Sequence, residues 1–139
     1  MSIFALKKLT VTVDGKEEPI DGAQKIEKLL IDNECQFDDF ESDVLKHKKY
    51  INELGKIYAY IEFAANGSSL PSKKFKDITP AKENVKEYEF KTKNLRVYAI
   101  KTLNGKIVIF GGYKNQQKKD IRKFRSIKKR YLESIKPRK

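Results

Sequence analysis

The chain has one cysteine, Cys35, one histidine, His47, and no tryptophan among 139 residues. A single thiol excludes an intramolecular disulfide, and a reducing compartment is the natural reading. One Cys and one His cannot supply the three or four protein ligands of a zinc site, so neither a metal nor another cofactor is expected. The same scarcity leaves no Ser-His-Asp or Cys-His arrangement to argue for, and His47 reads as a surface residue. No run approaches the ~18 apolar residues of a membrane span. The start, MSIFALKKLTVTV, puts its lysines after its apolar residues, the reverse of a secretory leader. A cytoplasmic protein with no membrane partner is therefore expected. Gly111-Gly112 sits in no P-loop or dinucleotide fingerprint and reads as a bulge or a close backbone approach at a strand end. There is no internal repeat and no low-complexity segment.

What is present is a core and an excess of positive charge. Apolar residues make up 39% of the chain, with eight Phe and seven Tyr, enough for one folded domain. Charged residues reach 36%, against roughly a quarter in ordinary domains. The net charge of +12 is unevenly spread. Residues 86–139 hold eighteen Lys and Arg against four acids, or +14, and residues 1–85 hold thirteen against fifteen, or −2. An acidic front and a basic back point to a polyanionic partner for the back half.

The pattern divides the chain into elements. Residues 3–13 alternate loosely and read as a strand ending in the Asp14-Gly15 turn, with a weaker strand signal near Pro19-Ile20. AQKIEKLLI at 23–31 reads as a short helix with Asp21 as a possible N-cap. Phe37, Phe40, Val44, Ile51, Leu54, Tyr58 and Ile61 fall at helical spacing, with Gly55 a possible break. Residues 66–84 read as a loop pinned by Phe75. Residues 86–93, 95–101 and 106–113 read as three strands, the last two joined at Asn104-Gly105. From Asn115 to Ile135, Ile121, Phe124, Ile127 or the stem of Lys128, Tyr131, Leu132 and Ile135 form the apolar stripe of a basic helix. The expectation is an antiparallel meander covered by helices on one face.

The informative constellation is cationic. Lys91 and Lys93 share a strand face, Arg96 lies on the neighbouring strand, and Lys114 follows the third. Lys118, Lys119 and Arg122 begin the last helix, with Tyr98 and Tyr113 among these groups. Cations hold phosphates and aromatics stack on bases, the combination that single-stranded RNA requires.

Tyr88-Glu89-Phe90-Lys91, Leu95-Arg96-Val97-Tyr98, the apolar strand Ile107 to Gly112 and the run Lys114 to Lys119 resemble the RelE/ParE superfamily of bacterial toxins. The HigB-like, phage-derived branch looks closest. The resemblance covers about residues 37–135. It implies an α+β fold in which a helical hairpin packs on a small twisted antiparallel sheet with a C-terminal basic helix. Residues 37–139 would form the RelE-like domain and residues 1–36 an N-terminal extension.

The implied activity is that of a type II toxin: a ribosome-dependent mRNA interferase, an endoribonuclease that cuts by 2′-OH attack. Its implied partners are mRNA, the ribosome and a cognate antitoxin. By residue match, Lys91, Lys93, Arg96 and Lys114 take the catalytic cationic positions, and Tyr98, Tyr113, Lys118, Lys119 and Arg122 bind RNA. A Tyr, or a Lys of lowered pKa, would move the proton. The family's C-terminal Arg and Tyr fall near Asn115 and Ile121, which depart from the pattern; Lys118, Lys119 or Tyr113 could substitute. Two alternatives stand beside this reading: a non-catalytic nucleic-acid-binding module, and a gyrase-inhibiting ParE-type toxin.

Overall fold

LRVYAIK and GKIVIFGGY are almost wholly apolar or aromatic, and they form two central strands with both faces covered. Strands buried on both sides read as near-continuous apolar runs. The computed structural model describes residues 2–13, 16–20 and 22–136. Within them the order is β1 (Phe4–Lys8), β2 (Thr10–Val13), β3 (Lys16–Pro19), β4 (Lys25–Ile31), α1 (Gln36–Lys46), α2 (Ile51–Ala65), β5 (Phe75–Asp77), β6 (Glu87–Lys91), β7 (Leu95–Lys101), β8 (Gly105–Tyr113) and α3 (Gln117–Ser134). The fold is mixed α+β. Six strands form one sheet in the order β1-β4-β8-β7-β6-β5, and β2 and β3 form a separate hairpin. The Asp14-Gly15 turn and the Asp21 cap lie outside the described residues.

The meander is as the alternation predicts: β6, β7 and β8 are consecutive and antiparallel, and β7 joins β8 at Asn104-Gly105. The sheet around it is larger than expected and is not purely antiparallel. Residues 25–31 are a strand and not a helix; β4 runs antiparallel to β1 and parallel to β8. Its side chains alternate between two cores: Ile26 and Leu30 face α1 and α2, and Leu29 and Ile31 face α3. Lys28, on the same face as Ile26, is buried and pairs with Asp38 at 2.6 Å. That buried lysine obscures the alternation in the sequence, and burial on both faces overrides the helical propensity of the segment. Residues 1–36, expected as an extension, contribute two strands of the main sheet, and Leu9, Ile20 and Ile26 join the core beneath α1 and α2.

Helices cover both faces, where one covered face was expected. Phe37, Phe40 and Val44 of α1 and Leu54, Ile57 and Ile61 of α2 pack on Val97, Ala99 and Val108. Phe124, Ile127 and Tyr131 of α3 pack on Tyr98, Ile100, Ile107 and Ile109. The long helical signal breaks at a 3₁₀ turn over Lys48–Tyr50; Gly55 lies inside α2. Phe75 pins its loop as expected, with ring centroids 4.9 Å from Tyr88 and 4.7 Å from Phe90, and the loop carries the edge strand β5.

Candidate nucleic-acid interface

One rim of the sheet gathers the end of β6, the start of β7, the end of β8 and the first turn of α3. Lys91 lies opposite Arg96, Arg96 opposite Gly112, and Leu95 opposite Tyr113. The Lys114 amide donates to the Asn94 carbonyl at 2.8 Å. Lys91, Lys93, Arg96, Tyr113 and Lys114 therefore share one rim. Lys93 is not on a strand: β6 ends at Lys91, and Lys93 is exposed in the turn between β6 and β7.

That turn is held from below by Glu53 of α2. Its Oε1 accepts from Thr92 Oγ1 at 2.6 Å and from the Asn94 amide at 2.7 Å, and its Oε2 accepts from Asn94 Nδ2 at 2.8 Å. Burial works against the Glu53 charge, but the hydrogen bonds from Thr92 and Asn94 outweigh it and hold the carboxyl below its ordinary value.

Arg96 is only 7% exposed. Its Nη1 donates to the carbonyls of Thr92 at 2.6 Å and Leu95 at 2.8 Å, so the guanidinium closes over the same turn. Its Nε is buried with no partner among the described residues. Arg96 is thus as much a clamp of the β6–β7 turn as a free cation.

Tyr98 is not a stacking platform. It is 0% exposed and lies between Phe110 and Phe124, with ring centroids 5.5 and 5.4 Å away. Burial first, then the charges of Glu89 and Asp120, push its hydroxyl above its ordinary value. Tyr113 is half-buried, and its hydroxyl donates to Asp43 Oδ2 at 2.6 Å. Burial and this bond raise its pKa too. Neither tyrosine is prepared to accept a proton. The lysine held below its ordinary value is Lys106, by burial and then by the charge of Lys101, and it stands at the other end of β8.

Lys114, Lys118, Lys119 and Arg122 are exposed. Lys119 and Lys123 line a cleft of about 560 Å³ with Asp39, Asp43 and Asp120. Gly111 and Gly112 are its floor. A Cβ at Gly111 would overlap the Phe40 ring, and one at Gly112 would overlap the Asp120 carboxylate, so both positions are close approaches. Two further cations of the basic helix face inward. Arg125 Nε and Lys128 Nζ donate to the buried carboxylate of Glu87 at 2.9 and 2.8 Å.

Sequence reasoning missed Glu53, Asp43, Glu89 and Asp120. Alternation places Glu87, Glu89 and Lys91 on one face of β6, and that face is covered by α3; Gln117 Nε2 donates to Glu89 at 2.8 Å. Compared with protein-family models, with curated proteins and with solved structures, the chain matches none of them. Among the described residues no helix is long and apolar enough to cross a membrane, and no group of His, Cys, Asp and Glu could hold a metal ion.

Proposed function

We propose that the chain is an RNA-cleaving toxin of the RelE/ParE type, which acts in the cytoplasm on mRNA at the ribosome and is held inactive by a cognate antitoxin. The observation that carries this reading is the shared rim: Lys91, Arg96 and Lys114 are brought together by strand register, with Lys93 in the turn between them. A ribose 2′-OH attacking the adjacent phosphorus loses its proton to solvent, forms one P–O bond and breaks the bond to the 5′ oxygen, which takes a proton from water; the products are a 2′,3′-cyclic phosphate and a 5′-hydroxyl. Charge accumulates on the phosphoryl oxygens and then on the leaving oxygen. Fixed cations favour that state over the ground state, and removing one such donor typically costs ~10²–10³ in rate. The exposed ammonium groups of Lys93 and Lys114 suit the leaving oxygen, and Lys118, Lys119 and Arg122 suit the flanking phosphates.

A second reading has its own support. The hydroxyl of Tyr113 is tied to Asp43 and that of Tyr98 is buried, so neither of the two tyrosines expected to bind RNA is free to move a proton. A module that holds RNA without cutting it fits those two facts.

Induced expression with primer extension on a reporter mRNA separates the two. Cleavage sites in the reporter and growth arrest are expected, and both should be relieved by a Lys93→Ala, Lys114→Ala double variant. Both side chains are exposed, so the variant should fold as the parent does. Lys136→Ala should remain toxic. If wild-type expression leaves the mRNA uncut while the purified protein binds RNA, the binding-module reading takes its place.

A further inference from the structure

At the end of the sheet opposite the rim, β4, β7 and β8 surround an open cavity of about 800 Å³. Four lysines line it, Lys8, Lys25, Lys101 and Lys106, together with Tyr88 and Gln24, and among the described residues no carboxylate does. Strand register turns Lys101 and Lys106 to the face of Ile26 and Tyr88, and Lys8 and Lys25 to the opposite face with Glu27. Lys106 forms its base and is 6% exposed. Its Nζ donates to a neutral partner, Gln24 Oε1, at 2.6 Å, and lies 5.4 Å from the Tyr88 ring and 5.7 Å from the Phe75 ring.

The other buried cations show how unusual this is. Lys28 is paired with Asp38, and Lys128 with Glu87. Arg96, at the proposed RNA rim, also lacks a carboxylate, but its guanidinium holds two carbonyls. Taking an ammonium out of water is costly without a compensating anion, and aromatic faces offset only part of that cost. Lys101 is exposed at the mouth, on the same face as Lys106. The wall is built from backbone: the Lys25 amide donates to the Asn104 carbonyl at 2.9 Å, which ties β4 to the β7–β8 turn.

We propose that this cavity is a phosphoryl-binding site in which Lys106 contacts the anion at the base and Lys101, its cross-strand neighbour, closes over it at the mouth. The ligand chemistry is a phosphate group, carried either by an RNA backbone or by a small phosphorylated compound. The site lies about 17 Å along β7 from Arg96, at 3.3 Å per residue. It does not rest on the toxin reading.

The test uses the full chain in phosphate-free buffer. Thermal unfolding is followed with inorganic phosphate and with chloride at matched ionic strength. Phosphate should raise the wild-type Tm by about 5 °C at a tenfold excess over its dissociation constant. Lys106→Gln should abolish the phosphate-specific shift. Should that variant fail to fold, a Lys101→Gln variant at the exposed mouth decides, and it should bind phosphate at least tenfold more weakly. A parallel titration with a single-stranded RNA oligomer lacking terminal phosphates identifies the source. If RNA affinity falls with the same variants and inorganic phosphate competes, the ligand is the RNA backbone. If RNA affinity is unchanged while the phosphate shift is lost, the ligand is a small phosphorylated compound. Equal shifts with chloride and phosphate, or a phosphate shift that survives in both variants, overturn the proposal.

Discussion

Two tyrosines show how differently a single hydroxyl can be held. Tyr113 donates a hydrogen bond to Asp43, and burial together with that bond keeps the phenol protonated beyond its ordinary range. Asp43→Asn should therefore bring the Tyr113 titration back towards pH 10, seen as an earlier rise in phenolate absorbance. Tyr98 is held differently: its hydroxyl is buried beside the Glu89 carboxylate, but among the described residues it makes no hydrogen bond of normal geometry. Replacing it by phenylalanine removes an unsatisfied polar group from the core. Tyr98→Phe should leave stability unchanged or raise it by about 1 kcal/mol, read from the urea midpoint. Both phenols have folded pKa values above their unfolded one, so the stability they confer is complete below about pH 10 and falls as pH rises beyond it. The sequence marks both residues as aromatics among cations. It does not mark which of them the sheet buries, because that depends on α3 covering the Tyr98 face.

Among the elements, the β6–β7 turn and the α3 seam carry the interface. Glu53 fixes the turn through three hydrogen bonds. Glu53→Gln should cost about 1–2 kcal/mol at neutral pH, measured by urea unfolding. Its folded pKa lies below the unfolded one, so the stability it adds is present above about pH 4.5 and lost as pH falls through the folded value. The gap between Glu53→Gln and wild type should close in acid. At the seam, Glu87→Ala strands the ammonium of Lys128 in the core and should cost about 3–5 kcal/mol. Glu87→Ala combined with Lys128→Met should recover much of that loss, because the unpaired charge is gone. The elements of the meander were legible in the sequence because their alternation is local, and so was the stripe of α3, where Phe124, Ile127 and Tyr131 are buried as the spacing predicts. The destination of Arg125 and Lys128 was not legible. Their partner Glu87 stands some forty residues upstream, and charge alone does not tell a cation facing solvent from one facing a buried carboxylate.

For the molecule as a whole, the acidic front and basic back of the chain do not remain apart in space. Asp39 and Asp43 of α1 share a cleft with Lys119 and Lys123 of α3. In the proposed reading RNA would be held chiefly by Lys93, Lys114, Lys118 and Arg122, which are exposed and outside that cleft, with the exposed Lys119 at its border. Four phosphate contacts imply that affinity for single-stranded RNA drops about 50-fold between 50 and 200 mM salt, measurable by fluorescence anisotropy. A flat response would place the RNA elsewhere. The rim itself was partly legible: Lys91, Arg96 and Lys114 are near in sequence and meet through a local meander. The position of residues 25–31 was not, since only a parallel partner 80 positions away makes that segment a strand.

That parallel pairing sets the order in which the protein can be made. Lys25 finds its partner at Gly105 and Lys28 at Val108, so β1 and β4 have no place in the main sheet until β8 has left the ribosome. Non-local contacts of this kind slow folding, because a long loop must close before the pairing rewards it. During synthesis β1 and β4 are made well before β8, and the basic helix is made after it. The joining of β1 and β4 to the sheet and the closing of the rim by the end of β8 and the start of α3 therefore belong to the same late stage, after β8 has been made.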